Sequence, residues 1–140
     1  MHFEVSLIIK APRDKAYSAY TDFEAMPKWS KQTKAVTASK RGESAVYLES
    51  TSTVSGRKVA RVMKLFPPQT VESEGETRFT LTKSVIRFEE VNEGTRVIAS
   101  LDVQFKGRWG WVLKTQGRAE AESSAMEELT LFAKYAENLP

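Results

Sequence analysis

Arg118 and Glu122 come nearest to a reactive pair in this sequence. Four positions apart, they share one side of a helix and can ion-pair. If that side faces a dry pocket, burial would raise the pKa of Glu122 and suit it to proton transfer. Tyr17 and Tyr47 are the other side chains that could act as acid or base there. If the same side faces water, the two are a solvated pair, because long charged side chains reach out to solvent. The residue pattern leaves both readings open. Other catalytic constellations are missing. The 140 residues include no cysteine and one histidine, His2. Thiol catalysis, disulfides and cysteine-based metal sites are therefore excluded, and a Ser–His nucleophile would depend on a histidine in a fraying position. Gly107-Arg108-Trp109-Gly110 has too few glycines for a nucleotide fingerprint. In Glu89-Glu90 and Glu127-Glu128 the two carboxylates are adjacent in sequence and point apart, so both pairs are expected on solvated surface. No cysteine or multi-histidine metal site is expected.

Charge and composition narrow the partners. Lys plus Arg number 21 against 18 acids, a net charge of +3. That balance supplies no basic stripe for nucleic acid. Trp109 and Trp111 lie among Lys106, Arg108 and Lys114, and Trp29 lies between Lys28 and Lys31. Tryptophan beside cations suits the headgroup region of a bilayer, so peripheral membrane contact through Trp109 and Trp111 is one reading, and packing on a sheet edge is the other. No apolar run is long enough to span a membrane, and no signal peptide opens the chain, so a cytoplasmic location is expected. Hydrophobic residues at 41% and charged residues at 28% fit one globular domain over residues 1–140.

Elements that could position these groups follow from periodicity. Phe3 to Lys10 reads as a strand, and Ala11-Pro12 ends it and starts a short helix to Tyr20. Thr21-Asp22-Phe23-Glu24 has the spacing of a capping box and predicts a second short helix before Pro27. Six strands are expected near Thr33–Ser39, Ala45–Val54, Arg57–Phe66, Thr70–Glu76, Arg78–Val91 and Thr95–Phe105, separated by Gly, Pro and Asn turns. Short connections imply antiparallel hairpins. From Gly110 to Leu139 the period becomes helical, with Ala121, Ala125, Leu129, Phe132 and Ala136 on one side. Such a helix would be about 40 Å long. The expected fold is α+β: a curved seven-stranded antiparallel sheet wrapped around the long C-terminal helix, with two short helices after the first strand.

The helix's inner side shrinks to Gly117, Ala121 and Ala125 at one end. Either the backbones approach closely there or a space remains. A space would be a ligand pocket with an apolar lining and a few polar groups. Its candidate lining comes from the helices (Tyr17, Trp29, Ala121, Ala125, Leu129) and from the strands (Tyr47, Met63, Leu101, Val103). Arg118 or Glu122 would orient a polar headgroup. Arg61 alternates in phase with Val59, Met63 and Leu65, and Lys83 and Arg87 with Leu81 and Val85; each can be read as inward or solvated only once the register is known.

The order of elements, with Val5 to Ile9, Ala11-Pro12-Arg13-Asp14-Lys15-Ala16-Tyr17 and Thr21-Asp22-Phe23-Glu24-Ala25-Met26-Pro27-Lys28-Trp29, resembles the START-like superfamily of polyketide cyclases, dehydrases and lipid-transport proteins, the pollen-allergen-like helix-grip fold. The layout matches along the whole chain and the motifs between Val5 and Trp29. The resemblance implies a cavity between the long helix and the sheet, and a hydrophobic small-molecule ligand such as a lipid, quinone, sterol or polyketide. Coenzyme-Q-binding proteins and partners of a chaperone ATPase also belong to the group, as do aromatase/cyclases. The resemblance implies no metal or organic cofactor, since none is general to the group, and no catalytic residue of the cyclases has a match here. Three functions are therefore expected to compete: a non-enzymatic carrier, a cyclase or dehydratase, and a protein-interaction module.

Overall fold

The computed structural model describes residues 1–53, 55–77, 79–107 and 117–140. Strand β1 spans His2–Ile9, followed by helix α1 (Arg13–Thr21) and a 3-10 helix (Phe23–Lys28). Strands β2 (Thr33–Lys40), β3 (Ala45–Ser52), β4 (Lys58–Phe66), β5 (Thr70–Glu76), β6 (Thr80–Val91) and β7 (Gly94–Phe105) come next, and helix α2 (Arg118–Glu137) closes the chain. The sheet order is β1-β7-β6-β5-β4-β3-β2, so β2 to β7 form successive hairpins and β1 closes on β7. All neighbours are antiparallel. The predicted seven-stranded α+β architecture is the one observed.

Period-two alternation decides which side of the sheet is dry. Val97 and Ala99 of β7 are buried, and Arg96 between Thr95 and Val97 is exposed. Lys83 and Arg87 are exposed on the outer side of β6, whereas Ile86 and Phe88 are buried on the inner side. α2 lies across the inner side, against β1 and α1, and buries Leu129, Phe132, Ala133 and Ala136. Phe132 meets Tyr20 and Trp29 edge-on, with ring centroids 5.5 Å and 5.2 Å away. Tyr17 and Tyr20 of α1 both touch Phe88. This aromatic cluster closes one end of the space between helix and sheet.

One sequence expectation is corrected. Thr21 does not cap the second short helix. It is the last residue of α1, and its Oγ1 donates to the Tyr17 carbonyl at 2.9 Å, four residues back. A threonine still inside a helix finds that carbonyl before it finds a free N–H. Asp22 precedes the 3-10 helix without a side-chain cap, and Pro27 lies within that helix. Helix α2 spans the 20 residues Arg118–Glu137, about 30 Å; the part of the expected helix at 110–116 lies outside the described residues. Trp109, Trp111 and Lys114, with their membrane reading, lie outside the described residues. Among the described residues no helix is long and apolar enough to cross a membrane.

Candidate functional site

Antiparallel register aligns the inner side chains in rows across the sheet. One row runs Leu65, Val71, Ile86, Ala99 and Val5 and is wholly apolar. The next runs Met63, Ser73, Ser84, Leu101 and Phe3, and the third runs Arg61, Gly75, Thr82 and Val103. Polarity therefore rises from row to row, away from the aromatic cluster. Ser73 and Ser84 hydrogen-bond to one another across β5 and β6. Gly75 has no side chain, and a Cβ there would sit 3.0 Å from Cγ of Arg61. The glycine thus leaves room for the Arg61 side chain to lie over β5.

Above these rows α2 presents Ala121, Ser124, Ala125, Glu128 and Leu129. The small residues leave a recess of about 350 Å³ between helix and sheet. Ile86, Ala99, Leu101, Phe132, Trp29 and Met26 form its apolar part, and Arg61, Ser73, Thr82, Gln32 and Thr33 its polar part. Arg61 and Gln32 are exposed where the recess meets solvent. Arg61 has no ion-pair partner among the described residues.

Of the eleven residues singled out from the sequence, the structure brings Trp29, Leu101, Val103, Ala121, Ala125 and Leu129 together around the recess. The other five lie elsewhere. Tyr17 and Met63 are buried in the core beyond it, with 6% and 2% exposure. Tyr47 pairs with Val62 on the outer side of the sheet, under the Arg41 guanidinium at 4.9 Å; its strand has side chains of both kinds on both sides, so alternation alone gave no sign. Arg118 and Glu122 pair at 3.2 Å, but Arg118, Ala119 and Glu120 are all exposed, so the first turn of α2 stands in water. The solvated reading of that pair is the one observed. Glu128 departs from its expected solvated surface: its carboxylate accepts from Ser30 Oγ at 2.6 Å, Lys31 N at 2.9 Å and Gln32 N at 3.1 Å. The helical spacing of Glu128, three beyond Ala125 and seven beyond Ala121, was the available signal for its place beside the recess. Sequence reasoning also passed over Tyr20 and the Ser73–Ser84 pair.

Two phenols are perturbed. Tyr20 lines the recess among Phe23, Phe88 and Phe132, and burial raises its pKa, with the nearby Arg61 charge acting in the opposite sense. Burial likewise raises Tyr17, and the Phe66 backbone counteracts this only in part. An unfolded tyrosine ionises near 10.0, below these folded values. The unfolded chain therefore loses its protons first as pH rises. The stability linked to both phenols is complete below that value and disappears as pH climbs through the folded pKa values. A denaturation midpoint that is level from neutrality to about pH 9 and falls beyond about pH 10 is expected, with a shallower fall in Tyr20→Phe. Urea titrations across that range measure it; an identical fall in the variant would remove Tyr20 as its source.

A family model for polyketide cyclase/dehydrase and lipid transport matches residues 1–137. No curated protein matches the sequence. Solved structures that resemble it include a Thermus thermophilus protein (16% identity, TM-score 0.84, 97% of each chain covered). Others are the Zhui aromatase/cyclase of a Streptomyces species (14% identity, TM-score 0.82, covering 98% of this chain and 93% of that one), and a STAR-related lipid transfer protein of Xanthomonas axonopodis (13% identity, TM-score 0.77, covering 98% and 86%). At these identities the likeness is one of fold. The match of the family model over nearly the whole length is a separate observation, and with it the chain belongs to the polyketide cyclase/dehydrase and lipid transport family.

Proposed function

We propose that the protein binds a compact amphipathic small molecule in the recess under α2. The observation that carries this reading is the combination of an apolar hollow of about 350 Å³ with Arg61, a cation without an ion-pair partner among the described residues, at its polar end. Ligand sites usually fall at about 300–1,000 Å³. The small end of that range suits a ring system or a single chain better than a two-chain lipid. Burying about 200 Å² of apolar ligand surface would contribute about 5 kcal/mol, before the cost of immobilisation. Arg61 would meet a carboxylate, phenolate or carbonyl oxygen on the ligand, and the hydroxyls of Ser73, Thr82 and Ser84 would accept or donate beside it.

Ala125→Trp tests the site by filling it. Binding of a fluorescent apolar anion such as anilinonaphthalene sulfonate is expected to weaken by about 100-fold, with the midpoint of unfolding little changed. Arg61→Met is expected to weaken the same anion by about 10–100-fold and an uncharged analogue far less. Native mass spectrometry of the purified protein would identify a co-purifying molecule. Undiminished dye binding in Ala125→Trp would remove the recess as the site.

A second reading, a cyclase or dehydratase, is favoured by one feature. The Tyr20 phenol shares the recess with the Arg61 charge, and such a pair could hydrogen-bond a substrate carbonyl and stabilise negative charge on its oxygen. Glu122, the acid expected from sequence, stands outside the recess. Loss of turnover in Tyr20→Phe with binding retained would support this reading; absence of turnover with polyketide-like substrates would leave the carrier.

A further inference from the structure

We infer that Glu128 is a positioning residue for the mouth of the recess: its carboxylate fastens the strap 30–32 to α2, and that fastening limits how fast a ligand enters and leaves. The inference rests on the ligand-binding reading of the recess.

Three consecutive residues donate to this one side chain. Glu128 Oε2 accepts from Ser30 Oγ at 2.6 Å, and Oε1 accepts from the backbone N–H groups of Lys31 at 2.9 Å and Gln32 at 3.1 Å. Two further contacts lie beside it. Gln32 Nε2 donates to Ser124 Oγ, and Lys31 Nζ pairs with Glu127 Oε1 at 3.1 Å. The other edge of the strap is tied to the end of β3, where Thr53 N and Oγ1 donate to the carbonyls of Gln32 and Lys31 at 2.9 Å and 2.8 Å.

The placement gives these bonds their consequence. Ser30 and Gln32 line the recess from one side, and Ser124 and Glu128 line it from the other. α2 packs on β1 and α1, and Phe132 meets Trp29 at the end of the 3-10 helix. Beyond that contact, the small-residue end of α2 is joined to the start of β2 by the side-chain bonds of Glu128 and Ser124. Hydrogen bonds to an ionised acceptor are stronger than neutral ones, and a carboxylate can serve several donors at once. Lys31 and Gln32 are exposed, so their N–H groups would take water once released. Opening is thus local and leaves the core, on the far side of Trp29 and Phe132, in place.

Amide exchange and ligand kinetics test the inference together, on Glu128→Ala, Glu128→Gln and Ser30→Ala. In Glu128→Ala the amides of Lys31 and Gln32 are expected to exchange about tenfold faster or more, while those of Val97 and Ala99 stay at wild-type rates. Stopped-flow mixing with anilinonaphthalene sulfonate is expected to show association and dissociation both faster by about tenfold than in Glu128→Gln, which loses the same charge. Glu128→Gln keeps an acceptor oxygen and is expected to restore most of the wild-type rates. Ser30→Ala removes one of the three donors, gives the same change in smaller measure, and decides the matter if the alanine variant does not fold. Wild-type dye kinetics in Glu128→Ala or, failing that, in Ser30→Ala would overturn the inference and leave the ligand-binding reading intact. Failure of the wild-type protein to take up the dye would overturn both.

Discussion

Phe132→Ala is expected to destabilise the protein by about 3–5 kcal/mol, the upper range for deleting a buried aromatic ring. Phe132 is 1% exposed and sits where the core meets the recess. Its ring stands edge-on to Tyr20 at an interplanar angle of 82° and to Trp29 at 61°. Each such pair contributes about 0.5–1.5 kcal/mol beyond the area it buries. The site cannot collapse to refill the space, because α2 is anchored on both sides of the position by Leu129, Ala133 and Ala136, all buried. The vacated volume would instead join the recess, deepening it toward Phe88. With total stability of about 5–15 kcal/mol typical of such domains, the variant would lose a large fraction of it. Urea unfolding at neutral pH measures this as a lowered midpoint with an unchanged slope. Phe132→Leu, which keeps most of the volume, should lose less. A cost below about 1 kcal/mol for the alanine variant would mean that the ring is not a support of the helix.

Gly94→Ala is expected to have an effect of similar size for an unrelated reason. Gly94 opens β7 after the tight turn at Asn92-Glu93 and has φ of 140°, a conformation that side-chain-bearing residues seldom adopt. A Cβ there would lie 2.2 Å from the carbonyl oxygen of Ile9 and 3.0 Å from the amide nitrogen of Ala11. Both are backbone atoms. They cannot swing aside as a flexible side chain would, since Ile9 is completely buried and the next residue of β7, Thr95, donates from Oγ1 to the Ala11 carbonyl at 2.8 Å. Strained backbone at about 1–3 kcal/mol adds to overpacking at about 1–3 kcal/mol, so a loss of about 3–5 kcal/mol is expected. Gly56→Ala is the control. Gly56 has φ of 67° with nothing within 4 Å of a built Cβ, so only the backbone term applies. Equal destabilisation by the two variants would show that the contact with Ile9 and Ala11 adds nothing.

Both residues belong to features that the sequence displayed in part. Helical spacing put Phe132 on the inner side of the last helix with Ala121, Ala125 and Leu129. The Asn-Glu-Gly turn separated the last two strands where the structure separates them, but the close approach of Ile9 to Gly94 is a long-range contact with no local signature. Arg61 shows the same division. Its phase with Met63 and Leu65 was readable, and the structure puts all three on the inner side. Lys83 and Arg87 had the same kind of phase with Leu81 and Val85 and lie on the outside. Tyr47 was equally ambiguous for the same reason, since a strand flanked by apolar residues on both sides does not reveal which side is covered.

Local patterns along the chain were enough to read the strands, their antiparallel order and the small residues that keep the end of α2 thin. These follow from local periodicity, turn chemistry and side-chain size, which act over a few residues. Long-range packing placed the Arg118–Glu122 pair in water, set Arg61 at the rim of the recess, and let Glu128 gather three donors from a strap 96 to 98 residues away in the chain. Those outcomes depend on where the covering helix begins relative to the strands beneath it, and that offset is set by the packing of Phe132, Tyr20 and Trp29 and not by any residue's neighbours in sequence.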